Sequence, residues 1–446
     1  MSDYIERPRY QCALGGALVT ITTLDRFIPI VHSAPGCASS AEGAASTGSG
    51  YWGSTYCNGR ATPSTNTLEK EIIFGGEERL KEQIESTLSM IDGDLFAVIT
   101  GCMTDIIGDD VRGVVNEFKN AGKPVIVAET GGFKGNSSKG YDYILEAIFT
   151  QYTEKGLEKN PKLVNLFGLI PTQDVFWRGN LIELKRLLNE LGLEVNTFFT
   201  PSDIVEDLRT ASKAALNIVF SDVHGIAAAK VFEETHGTPF ISVPLPIGPT
   251  ATKEFLEEVG KKFEICSNKV QELIQKENTW YYSYVQNVGD IYNDIDLQRH
   301  AIIVGDSNYS FALTRFAVEE LGWIPAYVAV TDILDVDEKE NVKSRFDIIP
   351  KDLRPNIIFE TNTSEIVSSI LDDLKSTDNV YGDLPIAPAF VLGSTLDRTL
   401  AVEVNAGFLS VSYPVTNRVV TDQGYAGYKG GLRLTTDIFS VLLGNR

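Results

Sequence analysis

Thiol side chains are the residues of this sequence with the clearest chemical potential. The 446-residue chain has five cysteines, four of them within the first 102 residues: Cys12, Cys37, Cys57, Cys102 and Cys266. An odd number of cysteines in a large chain without a secretory signal does not suggest a disulfide framework. Three interpretations remain open, namely buried inert thiols, metal ligands and a nucleophile.

Three of the cysteines share a setting next to predicted secondary structure. Cys37 follows a predicted strand in the turn that ends at Gly36, Cys102 follows another strand directly after Gly101, and Cys12 precedes a helix or turn. Ligand sites in doubly wound sheets lie outside the carboxyl ends of the strands. The sequence therefore predicts that these thiols converge on one inorganic cluster at that edge.

A simple cubane iron–sulfur cluster takes four thiolates, so three cysteines are one too few. The missing ligand is then Cys57, an oxygen ligand such as Asp or Ser, or a residue of a second chain. The alternative is that the thiols are merely buried, because cysteine behaves as a small hydrophobic side chain and no CxxC pair is present.

Other polar motifs of the sequence favour structural roles. The turn Gly305–Asn308 presents amides to an anion or simply reverses the chain, and Asp109 and Asp110 are expected to cap a helix. His32 either hydrogen-bonds close to the cluster or is an ordinary buried histidine. The sequence has no GxxxxGK[ST] motif, HExxH motif or nucleophile elbow, which argues against a P-loop ATPase, a zinc protease and a serine hydrolase.

Apolar strands alternate with amphipathic helices, and this pattern restarts after residue 160 and near residue 299. The alternation predicts three doubly wound α/β domains with mostly parallel sheets. The predicted strands are Ile28–His32, Leu95–Thr100, Pro124–Glu129, Leu163–Leu169, Leu193–Phe199, Leu216–Phe220, Phe240–Val243, Ala301–Val304, Ala326–Val330, Asn356–Phe359 and Ala389–Leu392. Ser39–Thr67 lacks periodicity and is predicted to be a long loop, and Leu432–Leu443 is predicted to be the last helix.

Composition excludes several classes of protein. A net charge of −21 argues against nucleic acid as a partner, since phosphates require clustered Lys and Arg. No apolar run reaches the ~18–20 residues of a membrane helix, and the acidic N-terminus does not resemble a signal peptide. We therefore expect a cytoplasmic protein whose acidic surface keeps it in solution or attracts a basic partner.

At the same cysteines the sequence resembles the subunits of nitrogenase component 1. The matching motifs are CALGGA at Cys12, PIVHSAPGC at Cys37 and ITGCMTDIIGDDV at Cys102, with an FGG segment at Phe74–Gly76. Further segments are similar to the beta-type rather than the alpha-type subunit: Val243–Thr252, Ser412–Arg418 and Gly424–Gly431. The resemblance covers nearly the whole chain.

This resemblance implies three Rossmann-like domains, at residues 1–160 plus 405–446, 161–290 and 291–404. It implies that Cys12, Cys37 and Cys102 are the beta-side ligands of an iron–sulfur cluster, either an 8Fe P-cluster or a 4Fe–4S cluster, shared with an alpha-type partner. An ATP-dependent iron protein would supply electrons, and substrate would be reduced in the partner, within a heterotetramer.

The sequence departs from the family at two sites. A serine that serves as a redox-dependent extra ligand in some members corresponds to Gly132, so that behaviour is not expected here. Where alpha-type subunits carry the cysteine that holds the catalytic cofactor, this chain has Ser221. We therefore expect no catalytic metal cofactor bound by this chain itself.

Several functions fit these features. The leading hypothesis is a beta-type electron-transfer subunit of a nitrogenase or a nitrogenase-like reductase, such as one acting on methylthio-alkanes or tetrapyrroles. The second is a cofactor-assembly scaffold, although beta-type scaffolds tend to keep fewer of the three cysteines. The third is a cluster-free binding protein with a Rossmann-like fold.

Overall fold

The computed structural model describes residues 8–50, 62–294, 300–376 and 390–444. Within these ranges the strands form three sheets, and every strand pair is parallel. The first sheet contains β1 (Phe27–His32), β2 (Leu95–Thr100) and β3 (Val125–Ala128); the second contains β4 (Asn160–Phe167), β5 (Glu194–Asn196), β6 (Ala214–Val219) and β7 (Phe240–Ser242); the third contains β8 (His300–Gly305), β9 (Ile324–Val330), β10 (Asn356–Phe359), β11 (Phe390–Gly393) and β12 (Gly407–Ser410).

Strand order confirms the predicted α/β class with Rossmann-like parallel sheets. The second sheet has the order β5-β4-β6-β7 and the third has β10-β9-β8-β11-β12, so the order reverses at β4 and at β8. Such reversals are the switch points where doubly wound folds bind ligands. The first sheet keeps its strands in chain order, β1-β2-β3.

The helices connect successive strands and cover the sheets. In chain order they are α1 (Ala13–Thr22), α2 (Cys37–Gly48), α3 (Glu69–Phe74), α4 (Glu77–Met90), α5 (Cys102–Ile107), α6 (Val111–Asn120), α7 (Ser137–Gln151), α8 (Trp177–Glu190), α9 (Val205–Arg209), α10 (Ile226–His236), α11 (Gly248–Lys262), α12 (Ser267–Val285), α13 (Gly289–Asp294), α14 (Ser307–Glu319), α15 (Val336–Arg345), α16 (Thr363–Ser376), α17 (Arg398–Glu403) and α18 (Gly427–Gly444). None of the helices in the described ranges has the length and hydropathy needed to cross a membrane.

Side chains of the first sheet alternate between two apolar layers. Val98 and Val127 point toward α4 and α6, where they join a cluster that includes Ile84. Ile99 and Ile126 point to the opposite face and join the main core with residues of α1 and α7. Burial on both faces explains why the strand Leu95–Thr100 is an uninterrupted apolar run and was predicted with its observed bounds.

Residues 405–446 contact the third sheet and the second unit, and their predicted membership of the first domain stays a prediction. Strand β12 pairs with β11, so the third sheet extends past residue 404. The chain then packs on the second unit, because Gly424 lies against the backbone of Gly179 and Gly431 lies against Gly248. A side chain at either glycine would collide with backbone atoms. The other boundaries, at 160/161 and 290/291, stay predictions.

The loop predicted for Ser39–Thr67 is wrong over its first ten residues, which form the greater part of α2. Ala41 is buried in the main core, and Ala38 packs against that core. Alanine, serine and glycine carry little hydrophobic periodicity, so no helix was predicted here. Residues 51–61, including Cys57, lie outside the described residues.

Buried charges occupy the junction of the second and third sheets. The His224 Nε2 atom lies 3.4 Å from the Asp332 Oδ1 atom, and the Ser307 amide donates to the other oxygen of Asp332 at 2.5 Å. Asp306, at the N-cap of α14, accepts from the amides of its own helix. Burial and the negative charge of Asp332 raise the pKa of Asp306 to about 7. Burial lowers the pKa of His224, but the facing carboxylates outweigh it, so its net shift is upward.

This junction should weaken as the pH rises. A group with a raised folded-state pKa contributes stability that is present below its ordinary pKa and lost above the folded value. The stability that Asp306 contributes is lost as the pH rises from its ordinary pKa of 3.8 to its folded-state pKa of about 7. The pKa of His224 is also raised, so its contribution is likewise lost as the pH rises. In urea unfolding across this pH range, Asp306→Asn should flatten the decline of the unfolding free energy. The exposed Asp92→Asn serves as the control. Identical pH profiles for Asp306→Asn and the parent protein would contradict this assignment.

Candidate functional site

The carboxyl ends of β1 and β2 lie side by side. Their register pairs Phe27 with Leu95 at one end and His32 with Thr100 at the other, so both strands end at the same level. Cys102 begins α5 immediately after β2, and Cys37 begins α2 after a short turn that follows β1. The parallel register therefore brings both cysteine-bearing turns to one edge of the first sheet, as predicted from the sequence.

The turn after β3 joins Cys102 to Cys12. The Gly132 amide donates a hydrogen bond to the Cys102 sulfur at 3.1 Å. A Cβ atom added at Gly132 would lie 3.0 Å from the Cys102 Sγ atom and 3.6 Å from the Cys12 Sγ atom. The distance between the two sulfurs can therefore be no greater than the sum of those two values. Cys12 and Cys102 therefore lie in one site, and Gly132 packs against both of their side chains.

Close helix packing sets the position of Cys12. It is the N-cap of α1, where the Ala13 amide donates to the Gly135 carbonyl oxygen at 2.9 Å. Helix α1 crosses α7 at two glycines: a Cβ atom at Gly16 would lie 1.9 Å from the Ser137 carbonyl oxygen, and one at Gly140 would lie 2.0 Å from the Ala13 carbonyl oxygen. Any larger residue would separate the helices and carry Cys12 away from Gly132.

Backbone contacts also tie the Cys102 turn to the turn that leads to Cys37. The Gly101 amide donates to the His32 carbonyl oxygen at 2.9 Å, and a Cβ atom at Gly101 would lie 2.0 Å from the Ser33 hydroxyl oxygen. The chain then turns at Gly36, whose φ of +91° lies in the left-handed region that favours glycine. Cys37 thus begins α2 at the same edge of the first sheet as Cys102.

Solvent reaches the site from one side. Cys12 and Cys102 are exposed and Cys37 is half-buried, so none of the three is sealed in the core. Among the described residues no three His, Cys, Asp or Glu side chains are close enough to hold a single metal ion. Thiolates that each bind a different iron atom of a polynuclear cluster need not lie within reach of one metal ion.

His32 and Asp109 belong to a separate, structural network. His32 bonds through Nδ1 to the Thr65 hydroxyl at 3.1 Å and through Nε2 to the Asp109 carboxylate at 2.9 Å. Burial lowers the pKa of His32, against the opposing effect of Asp109. Asp109 also accepts from the Gly76 amide at 2.8 Å, at the start of α4. Both ring nitrogens therefore have hydrogen-bonding partners, as the interpretation of His32 as an ordinary buried histidine predicts.

Asp110 has the predicted capping role, because it accepts from the Gly113 amide at 2.9 Å at the start of α6. Asp109 caps a different helix from the one expected. Asp306 plays the same part at α14, since its carboxylate accepts from the amides of Asn308 and Tyr309 at 2.9 Å. The amides of Ser307 and Asn308 in this turn thus donate to carboxylates of Asp332 and Asp306, which fits the structural role.

Two features of the site were not predicted from the sequence. One is the sulfur-bonding amide of Gly132, which no motif reveals. The other is an exposed apolar rim on the segments that flank the thiols: Ile73, Phe74, Ile106 and Phe133 have 71%, 81%, 73% and 61% of their surface exposed. Clustered exposed apolar side chains commonly mark a protein–protein contact. The FGG and FKG segments of the sequence were the available signal for this rim.

The donor set fits an iron–sulfur group on three observations. Two thiols lie close together, an amide is positioned to stabilise negative charge on one sulfur, and glycine leaves space between them. Cys37 would supply a third thiolate from the adjacent strand end. Three thiolates on an open surface leave further coordination positions for ligands from elsewhere.

Comparisons with known proteins identify relatives that match nearly the whole chain. The family described as "Nitrogenase component 1 type Oxidoreductase" matches residues 12–443. The nitrogenase molybdenum-iron protein beta chain of Methanococcus maripaludis is 26% identical over 98% of this chain and 94% of its own length. The nitrogenase vanadium-iron protein beta chain of Trichormus variabilis is 24% identical, over 95% of this chain and 90% of its own length.

Two further similarities extend the comparison. The iron-molybdenum cofactor biosynthesis protein NifE of Methanococcus maripaludis is 30% identical over 60% of this chain and 55% of its own length. The solved structure "Nitrogenase Cp1 at pH 6.5" superposes with a TM-score of 0.78 at 20% identity, covering 99% of this chain and 95% of that one, which shows a shared fold. The match to the family spans nearly every described residue, and the chain belongs to the nitrogenase component 1 type oxidoreductases.

Proposed function

We propose that the chain is the beta-type subunit of a nitrogenase-like reductase. Cys12, Cys37 and Cys102 hold an interface iron–sulfur cluster that passes electrons from an ATP-dependent iron protein to a substrate-reducing site in an alpha-type partner. The observation that carries this proposal is the proximity of the exposed sulfurs of Cys12 and Cys102 around Gly132. The whole-length similarity to nitrogenase beta chains supports it.

The need for a partner follows from the shape and chemistry of the site. Cys12, Cys37 and Cys102 supply three thiolates, fewer than a four-thiolate cubane or an 8Fe cluster requires. The apolar rim around them loses contact with water when another chain packs on it, and this favours association. A partner surface that carries its own cysteines would complete both the coordination and the burial. We infer a heterodimer of this kind, doubled into a heterotetramer.

The residues of this chain act by binding and orientation. A bound cluster supplies one-electron carriage at low potential, tuned by ligand hydrogen bonds and solvent access. The three cysteines hold iron as thiolates, and the Gly132 amide stabilises the charge on the Cys102 sulfur. Lys134 bridges Asp105 at 2.8 Å and Glu129 at 3.3 Å, which fixes the Gly132 turn against α5. A partner seated on the apolar rim would exclude water from the thiolates.

Gly132 also bears on the redox behaviour. Some family members are expected to carry a serine at the matching position as an extra ligand. The space that a side chain would fill here lies between the sulfurs of Cys12 and Cys102. With only hydrogen at this position the chain has no oxygen to offer there, so the proposed cluster keeps one set of ligands from this chain in each oxidation state.

A second candidate is a cofactor-assembly scaffold, favoured by the 30% identity to the NifE relative over 275 residues. A scaffold would release its cluster to an acceptor protein, whereas an electron-transfer subunit keeps its cluster through many turnovers.

The sequence of the partner chain that co-purifies would distinguish between the possible reactions. Cysteine and histidine at its cofactor positions would indicate nitrogenase-like chemistry, including methylthio-alkane reduction, and their absence would indicate tetrapyrrole reduction.

Substitution of single cysteines tests the ligand assignment. In the anaerobically purified complex, Cys102→Ala should remove or convert the cluster and stop electron delivery, because one iron loses its thiolate. Cys37→Ala should act in the same way. Cys266→Ala is the matched control, since Cys266 is exposed at the start of α12 and lies far along the chain from the ligand motifs. Iron content and electron paramagnetic resonance measure the result, and an unchanged signal in Cys102→Ala would refute the assignment.

Adding a side chain at Gly132 is a second test, which keeps all three cysteines in the sequence. Gly132→Ala adds a Cβ atom 3.0 Å from the Cys102 sulfur and 3.1 Å from the Cys12 Cβ atom, so at least one of them must move. We expect iron retention to weaken about 10–100-fold, as for changes behind other metal ligands. Gly43→Ala on α2 is the control, since nothing lies within 4 Å of its added Cβ atom. Equal iron retention in Gly132→Ala and Gly43→Ala would contradict the proposed geometry.

A further inference from the structure

The segment Ser412–Arg418, noted in the sequence, passes from the third sheet to the first domain. It follows β12, and its Val415 pairs with the end of α2. The Val415 amide donates to the Gly48 carbonyl oxygen at 2.6 Å, and the Gly50 amide donates to the Val415 carbonyl oxygen at 2.8 Å. The helix that Cys37 begins is therefore held at its far end by the segment that follows the third sheet.

Tyr413 packs against the last turns of this helix. A Cβ atom at Gly48 would lie 2.8 Å from the Tyr413 ring, so only glycine allows α2 to pack so near. The Tyr413 hydroxyl also donates to the Ala44 carbonyl oxygen at 3.4 Å. The tyrosine is almost fully buried, with 7% of its surface exposed. Helix α2 thus rests on this ring over its last turns.

The same ring holds the segment before Cys12. Tyr10 stacks on Tyr413 with ring centroids 6.5 Å apart and planes inclined by 12°. Tyr10 is fastened further to the third domain through its hydroxyl, 2.7 Å from the Thr331 hydroxyl. Cys12 lies only two residues beyond Tyr10, which is at most about 7 Å of chain.

A buried ion pair anchors this segment one residue earlier. Arg9 donates to both carboxylate oxygens of Asp397, at 3.0 and 2.5 Å, and to the Ser394 hydroxyl at 2.7 Å. Neither side chain of the pair is exposed. A buried, bidentate pair with a further hydrogen bond fixes its geometry closely. The chain that enters Cys12 is thereby immobile relative to the third domain.

We propose that Tyr413 is a positioning residue that sets the Cys12 and Cys37 thiols in one geometry, by holding the segment before Cys12 and the end of α2 on a single ring. The inference rests on the proposed function, since it concerns ligands of the proposed cluster. Ligand atoms must be held within ~0.5 Å of their working geometry. Helix α2 transmits the constraint because an α-helix is a stiff rod of about 1.5 Å per residue.

Hydrogen exchange tests the positioning without requiring a cluster. The amides of Gly50 and Val415 and the peptide containing Cys12 are the reporters. In Tyr413→Ala we expect all three to exchange about tenfold faster or more, because both segments lose their common support. Tyr413→Phe keeps the stacked ring and should retain most of the protection. If Tyr413→Ala does not fold, Tyr413→Leu, which fills part of the space without stacking, replaces it with the same expectation.

Tyr327→Ala is the matched control. Tyr327 is also a buried tyrosine of the third domain, and its hydroxyl bonds to Asp373 at 2.8 Å on the opposite layer of the third sheet. This variant should lower the thermal unfolding midpoint yet leave the three reporters unchanged. Unchanged exchange in the folded Tyr413→Ala or Tyr413→Leu variant would overturn the inference, as would equal acceleration in Tyr327→Ala.

Spectroscopy of the anaerobically purified complex separates this inference from the proposed function. With a cluster present in the parent protein, Tyr413→Ala should shift the midpoint potential or change the paramagnetic line shape, and Tyr327→Ala should not. A parent spectrum retained in Tyr413→Ala would overturn the positioning role while leaving the proposed function intact. A parent protein without iron would overturn the proposed function, and the exchange experiment would still decide whether Tyr413 holds both segments.

Discussion

Close backbone approach at glycine is the constraint on which the site depends. Helices α1 and α7 can touch only because Gly16 and Gly140 have no side chains, and this contact brings Cys12 to the turn after β3. At that turn Gly132 leaves space between two sulfurs and donates its amide to one of them. The first sheet supplies the other half of the geometry, because the parallel register of β1 and β2 ends both strands at one level. Cys12 and Cys102, distant in the sequence, lie close together because the glycines between them have no side chains to separate the backbones.

Residues of the third sheet and of the segment that follows it add rigidity to this edge. The chain entering Cys12 is fastened by the buried Arg9–Asp397 pair, and α2 is fastened by Val415 and Tyr413. Removing one partner of such a buried pair costs more than the pair contributes in net stability, since an unpaired buried charge remains. These contacts join residues nearly four hundred positions apart. The edge of the first sheet that carries Cys12 and Cys37 is therefore supported by residues from the other end of the chain.

The elements predicted correctly from the sequence are those that local hydrophobic pattern and burial determine. The strands Leu95–Thr100 and Asn356–Phe359 have their predicted bounds, because apolar runs flanked by turn residues leave little choice. Helix α2 was missed, since its alanines and serines pack through small size rather than through a hydrophobic stripe. The contacts of the C-terminal helix with the second unit were not predicted, because they depend on glycine contacts that no hydrophobic periodicity reveals. Cys12, Cys37 and Cys102 were identified from strand ends and family motifs, whereas the Gly132 amide depends on tertiary geometry alone.

The most direct test of the account is the anomalous scattering of iron in crystals of the anaerobically purified complex, measured on both sides of the iron absorption edge. We expect iron density at the edge of the first sheet, in contact with the sulfurs of Cys12, Cys37 and Cys102 and closed on its far side by a partner chain. Iron that contacts none of these three sulfurs, or a complex in which they are covered by protein without iron, would contradict the central claim.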